Sequence, residues 1–182
     1  MRKLTVALAC IGVCAVAALY PKSTVAQQKQ VIAISGEGIK SGYVQQLAID
    51  VDDVLGHQVR VQEARRIYPA EKQFAVDGEQ VVEAWVRGFS NYTGGIGPAW
   101  GYLTWITEKG NKIFLEWSGS SEATTTATGS KRGTYHGTSR FMGGTERFAK
   151  IRGVLVDVTE FDTDQKAGYN RASSRGEYWF EQ

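Results

Sequence analysis

Beyond position 14 the chain contains no cysteine; its two, Cys10 and Cys14, lie in an apolar leader. Once that leader is removed there is no disulfide, no thiolate nucleophile and no cysteine metal site. Histidine is nearly as scarce, with His57 and His136 alone, and neither has a second metal-binding side chain at useful spacing, so no metal is expected. There is no phosphate-binding glycine loop, no Gly-x-Ser-x-Gly elbow and no His-Glu-x-x-His pair. Gly143-Gly144-Thr145 lacks the Lys-Ser/Thr and the helix that would make it a phosphate loop. These absences argue against the large classes of kinases, hydrolases and dehydrogenases, and no cofactor is implied.

The chain has no excess of charge either. Its 182 residues carry 21 Lys and Arg against 19 Asp and Glu, a formal net charge of +2. Residues 1–26 hold Arg2, Lys3 and Lys22 and no acid, so removing them leaves 18 basic residues against the same 19 acidic ones. The apparent basicity belongs to the leader, and no nucleic-acid footprint of clustered Lys and Arg remains.

The leader itself reads as an export signal. A basic start at Arg2 and Lys3 precedes the apolar run Leu4 to Leu19, and small residues Thr24 and Ala26 precede Gln27. Cleavage before Gln27 is expected, giving a signal peptide over 1–26 and one domain over 27–182. The apolar run is about 16 residues, short of the roughly 20 that span a bilayer. No stable membrane span is therefore expected after cleavage, with a retained anchor as the alternative. The destination would be the periplasm or the medium.

What remains reads as short strands punctuated by glycine. Val31-Ile32-Ala33-Ile34, Leu47 to Asp52 and Gln58 to Glu63 alternate or run apolar over strand lengths. Asp50, Asp52 and Asp53 lack the glycine and terminal Glu of a calcium loop and read as a solvated face. Ala64 to Gly78 is less regular. In Val81 to Phe89, one face carries Val82, Ala84 and Val86 and the other Glu83, Trp85, Arg87 and Phe89. Charges among aromatics make that second face a candidate barrel lumen, the plain alternative being a solvent face with snorkelling side chains. Trp100 to Thr107 and Lys112 to Ser118 form the clearest hairpin, across Glu108-Lys109-Gly110-Asn111, with Gly and Asn supplying positive φ. Ser118 to Arg132, rich in Ser, Thr and Gly, reads as a long mobile connection. Thr134 to Phe141, Gly153 to Phe161 and, after a polar loop from Asp162 to Ser174, Arg175 to Phe180 complete about eight strands with no long helix. An all-β antiparallel barrel is the expected fold, because closure removes exposed edges.

Phe141-Met142-Gly143-Gly144-Thr145-Glu146-Arg147-Phe148-Ala149-Lys150-Ile151-Arg152-Gly153 joins two of these strands through a glycine corner. It resembles the signature of the allene oxide cyclase and dirigent barrel superfamily, which includes small exported bacterial proteins. The hairpin Gly101 to Gly119 is similar too, and the resemblance spans about Trp85 to Phe180. Glu146 and Lys150 stand where that family usually has glycine. A positive φ at Glu146 would be costly for a side chain. The resemblance implies an eight-stranded antiparallel barrel with an apolar lumen, often a homotrimer. Its motif is structural and transfers no catalytic residue.

Candidate ligand-binding residues therefore come from the strands themselves: Glu83, Trp85, Arg87, Tyr102, Glu116, His136 and Glu177. A carboxylate in an apolar lumen would have a raised pKa and could act as acid or base. Against this, strand carboxylates commonly face solvent, and Glu116 could pair with a Lys or Arg on the next strand. The expectation is an exported barrel that binds a small hydrophobic molecule in its lumen, with no catalysis assigned. The alternative is a cyclase- or isomerase-like enzyme in the same lumen. Convergence of Glu83, Arg87, Tyr102, Glu116 and His136 in one cavity would favour the enzyme, and scattering over the outer face would favour binding.

Overall fold

The structure, a computed structural model, describes residues 28–36, 40–125, 131–162 and 170–182. The expected signal, 1–26, lies outside the described residues. Strands run β1 (Gln30–Gly36), β2 (Lys40–Asp50), β3 (His57–Ile67), β4 (Phe74–Val76), β5 (Glu79–Thr93), β6 (Gly97–Thr107), β7 (Lys112–Thr125), β8 (Lys131–Gly144), β9 (Ile151–Asp162) and β10 (Asn170–Phe180). Two 3₁₀ turns, Ala70–Lys72 and Glu146–Phe148, interrupt them.

All ten strands belong to one antiparallel sheet, ordered β1-β10-β9-β8-β7-β6-β5-β3-β2, with β4 paired to β5. The all-β antiparallel class is thus as expected, but two features of the barrel reading are corrected. Among the described residues there are ten strands rather than eight, and the sheet does not close, since β1 and β2 remain its two edges. Only residues 37–39 separate those edges in sequence, which limits them to about 14 Å apart at that end. The sheet therefore rolls nearly the whole way round. Where β2 leaves this connection, Val44 is an extra residue between Tyr43 and Gln45. Such a bulge bends an edge strand and interrupts pairing.

The hairpin read from sequence is present in register, with Trp105 opposite Ile113 and Tyr102 opposite Glu116. Of its turn residues, Gly110 has a positive φ of 81° and Asn111 does not. The supposed connection from Ser118 to Arg132 is instead mostly strand: β7 continues to Thr125 and β8 begins at Lys131.

One end of the roll is filled. Trp105 packs edge-on against Phe74 at 4.9 Å and Phe141 at 5.6 Å. Ile113, Leu115, Ile151 and Leu155 are buried beside them. The glycine corner forms the floor: the 3₁₀ turn after Gly144 inserts Phe148, which is fully buried. Reciprocal bonds hold that turn, from the Thr145 N–H to the Lys112 carbonyl and from the Lys112 N–H to Thr145 Oγ1, each 2.8 Å. Glu146 has φ +48°, so this side chain occupies the left-handed conformation that glycine would take without strain. Glu79 ties the floor together, accepting from Thr107 Oγ1 at 2.9 Å and Asn111 Nδ2 at 3.0 Å. These hydrogen bonds, Asn111 first, hold its carboxyl below the usual range.

Candidate functional site

The other half of the roll is hollow. A cavity of about 170 Å³ is comparable to an apolar cavity of roughly 150 Å³ that accepts benzene. Its walls follow from strand alternation, because the positions that fill the floor with Leu and Phe become polar or aromatic further along the same strands. On β7, Ile113 and Leu115 are succeeded by Trp117 and Ser121; on β8, Phe141 is preceded by Ser139 and Tyr135. On β3 the inward residues are Arg60, Gln62 and Arg66, with Tyr68 just beyond; β5 supplies Val86 and Tyr92. Asp157 and Thr159 on β9 and Ser174 on β10 complete the wall, while Ile34 and Tyr43 reach it from the two edge strands.

Glycines make room for two of the cavity's rings. A Cβ on Gly88 would overlap the Trp117 indole, and one on Gly137 would overlap the Tyr135 phenol. The rings meet edge-on, with centroids 5.8 Å apart and an interplanar angle of 86°. This lets bulky aromatics lie along the wall instead of closing the cavity.

The polar groups are unevenly satisfied. Asp157 accepts hydrogen bonds from Ser139 Oγ and Ser174 Oγ, both at 2.5 Å. Arg60 donates to Gln58 Oε1 at 2.7 Å from Nη2 and lies 6.0 Å over the Tyr92 ring. Arg66 Nε, Trp117 Nε1 and the Tyr135 hydroxyl are buried with no hydrogen-bond partner among the described residues. Burial raises the pKa of Tyr43, Tyr68, Tyr92 and Tyr135. All four phenols therefore stay protonated at neutral pH and can donate.

Compared with protein-family models, curated proteins and solved structures, the chain matches none. The chemistry must be read from the cavity itself.

None of the seven residues singled out from sequence lines that cavity. Five sit in a ladder on the outer face. Arg65 grips Glu83 with two bonds of 2.9 Å, and the Trp85 indole N–H donates to Glu83 at 2.5 Å. Arg65 and Arg87 lie 5.7 Å and 5.3 Å from the Trp85 ring, and Arg87 Nε donates to Glu63 at 2.8 Å. Tyr102, 62% exposed, stands in register between Arg87 and Glu116, and Glu116 pairs with Arg140 across the strands. The charged aromatic face of β5 is thus a cation–π and ion-pair surface, the snorkelling alternative. His136 is exposed away from this ladder, and Glu177 pairs with Lys29 near the other edge.

The cavity residues were one position away. Trp117 shares its parity with Ile113 and Leu115, and Tyr135 shares its parity with Phe141. Extending those apolar rows would have turned Trp117 and Tyr135 inward and Glu116 and His136 outward. Arg60, Gln62 and Arg66 gave no such signal, because polar alternation on a strand normally marks solvent.

Proposed function

We propose that this is an exported protein, its first 26 residues a cleaved signal, that binds a small hydrophobic molecule inside its rolled sheet. The observation that carries the reading is the cavity of about 170 Å³, whose wall combines Trp105, Trp117, Tyr92 and Tyr135 with a few fixed polar groups. That balance of apolar surface and sparse polar contacts is what small-molecule sites use. The glycine corner from Gly143, whose 3₁₀ turn buries Phe148, supports reading the scaffold as allene oxide cyclase- and dirigent-like. Binding is favoured over cyclase or isomerase turnover by where the acids lie. Glu83 and Glu116 are paired with arginines on the outer face, and the cavity's own Asp157 is bonded by two serine hydroxyls.

Native mass spectrometry of protein purified from cells expressing the full chain tests this. The expected species begins at Gln27 and carries, or takes up from host lipid extract, a discrete small apolar adduct. The same spectrum counts subunits, testing the homotrimer that the family resemblance implies. A chain that keeps its first 26 residues counts against cleavage and favours a retained anchor. One that neither carries nor takes up an adduct counts against lumenal binding.

A further inference from the structure

Five arginines at the surface of this protein are matched to acids. Arg65, Arg87, Arg140, Arg147 and Arg152 each have a carboxylate within ion-pair distance. The two arginines of the cavity differ: among the described residues neither Arg60 nor Arg66 has an acid partner. Arg60 is held at the side by the Gln58 amide oxygen, and Arg66 interacts with the Tyr68 hydroxyl. Both arginines line the same cavity wall, and Tyr43, paired with Ala64 between them on β3, lines it too. The single lining carboxylate, Asp157, spends its oxygens on Ser139 and Ser174. The wall therefore carries one more positive charge than negative, and its unsatisfied groups at Arg66, Trp117 and Tyr135 include no acceptor-only group. Partly burying a guanidinium without a counter-charge is costly. A guanidinium fork fits a carboxylate geometrically.

We infer that the bound molecule is a small organic monoacid about one ring in size, its carboxylate held by Arg66, with the charge of Arg60 further along the same wall, and its apolar body lying against Trp117 and Tyr135. This rests on the lumenal-binding reading and specifies its ligand class. One negative charge balances the wall, whereas a polyanion would leave charge uncompensated and would waste the aromatic surface. The volume suits a single ring.

The test is calorimetric titration of protein purified from full-chain expression, at neutral pH, with phenylacetate and with phenylethanol, the uncharged alcohol on the same carbon skeleton. Phenylacetate is expected to bind about ten- to hundredfold more tightly, the range for a hydrogen-bonded charge. Arg66→Gln should remove that advantage, and Arg60→Gln should reduce it. Equal affinity for the two probes, or an advantage that survives both substitutions, overturns the monoacid inference but leaves lumenal binding standing. Failure of both probes to bind overturns both. The comparison on the unsubstituted protein decides the matter even if either variant fails to fold.

Discussion

Gly137 lies beneath the phenol of Tyr135, so close that a Cβ at position 137 would overlap the hydroxyl oxygen. A residue on β8 is thus fixed as glycine by the ring two positions earlier on its own strand. Gly137→Ala should push Tyr135 into the cavity, costing about 1–3 kcal/mol by overpacking and weakening phenylethanol binding in the same titration. Tyr135→Phe should be neutral or slightly stabilising, because it removes a buried hydroxyl with no partner among the described residues. Thermal unfolding of the two variants checks both, and a marked loss in Tyr135→Phe would mean that the hydroxyl has a partner.

Glu146 is an L residue at φ +48° in a corner whose family resemblance places glycine there. Its side chain is exposed, so replacement removes little packing. Glu146→Gly should relieve the left-handed strain, about 1 kcal/mol, minus part of that for the extra freedom of the unfolded chain. The expected net result is an unfolding midpoint unchanged to a few degrees higher. A lower midpoint would show that Glu146 makes a stabilising contact outweighing its backbone strain.

On the outer face, Glu83 is the acceptor shared by Arg65 and the Trp85 indole. Its separation from the cavity makes a clean negative control. Glu83→Gln should cost about 1 kcal/mol or less, as for exposed ion pairs, and should leave probe affinity as it was. A large loss of phenylethanol or phenylacetate binding would return the outer ladder to consideration as a site.

These placements explain what the sequence disclosed and what it concealed. The hairpin of β6 and β7 was legible because Trp105, Ile113 and Leu115 face a filled floor and a glycine marks the turn. The far end of β7 read as loop because both its faces are polar or small: Gly119 and Ser121 face inward, while Ser118 and Ser120 face out. On β3 the usual signal is inverted, with Val59 and Val61 exposed by 40% and 49% while Arg60 and Gln62 line the cavity. Binary patterning finds strands that pack against a core, and it fails where the inner wall has a polar job. The cavity was hidden by its own polar lining.

The rim beside Arg60 and Tyr92 provides a pH test. His57, at the start of β3, places Nδ1 2.5 Å from Asp53 Oδ1 and Nε2 2.6 Å from Asn91 Oδ1. Both partners are acceptors, and only the imidazolium can donate to both at once. The hydrogen bond to Asn91, followed by that to Asp53, accordingly raises the His57 pKa above its ordinary 6.5. A pKa raised on folding means that the native state binds the proton more tightly than the unfolded chain. The stabilisation is then complete below the unfolded pKa, near 6.5, and is lost as pH rises through the higher folded value. An NMR titration of the His57 ring should give a midpoint above 6.5, lowered toward it in Asn91→Ala. Unfolding measured across the same range should show stability falling on the alkaline side, with that component absent in His57→Gln. A His57 midpoint at or below 6.5 would mean that one of the two acceptors does not face the ring.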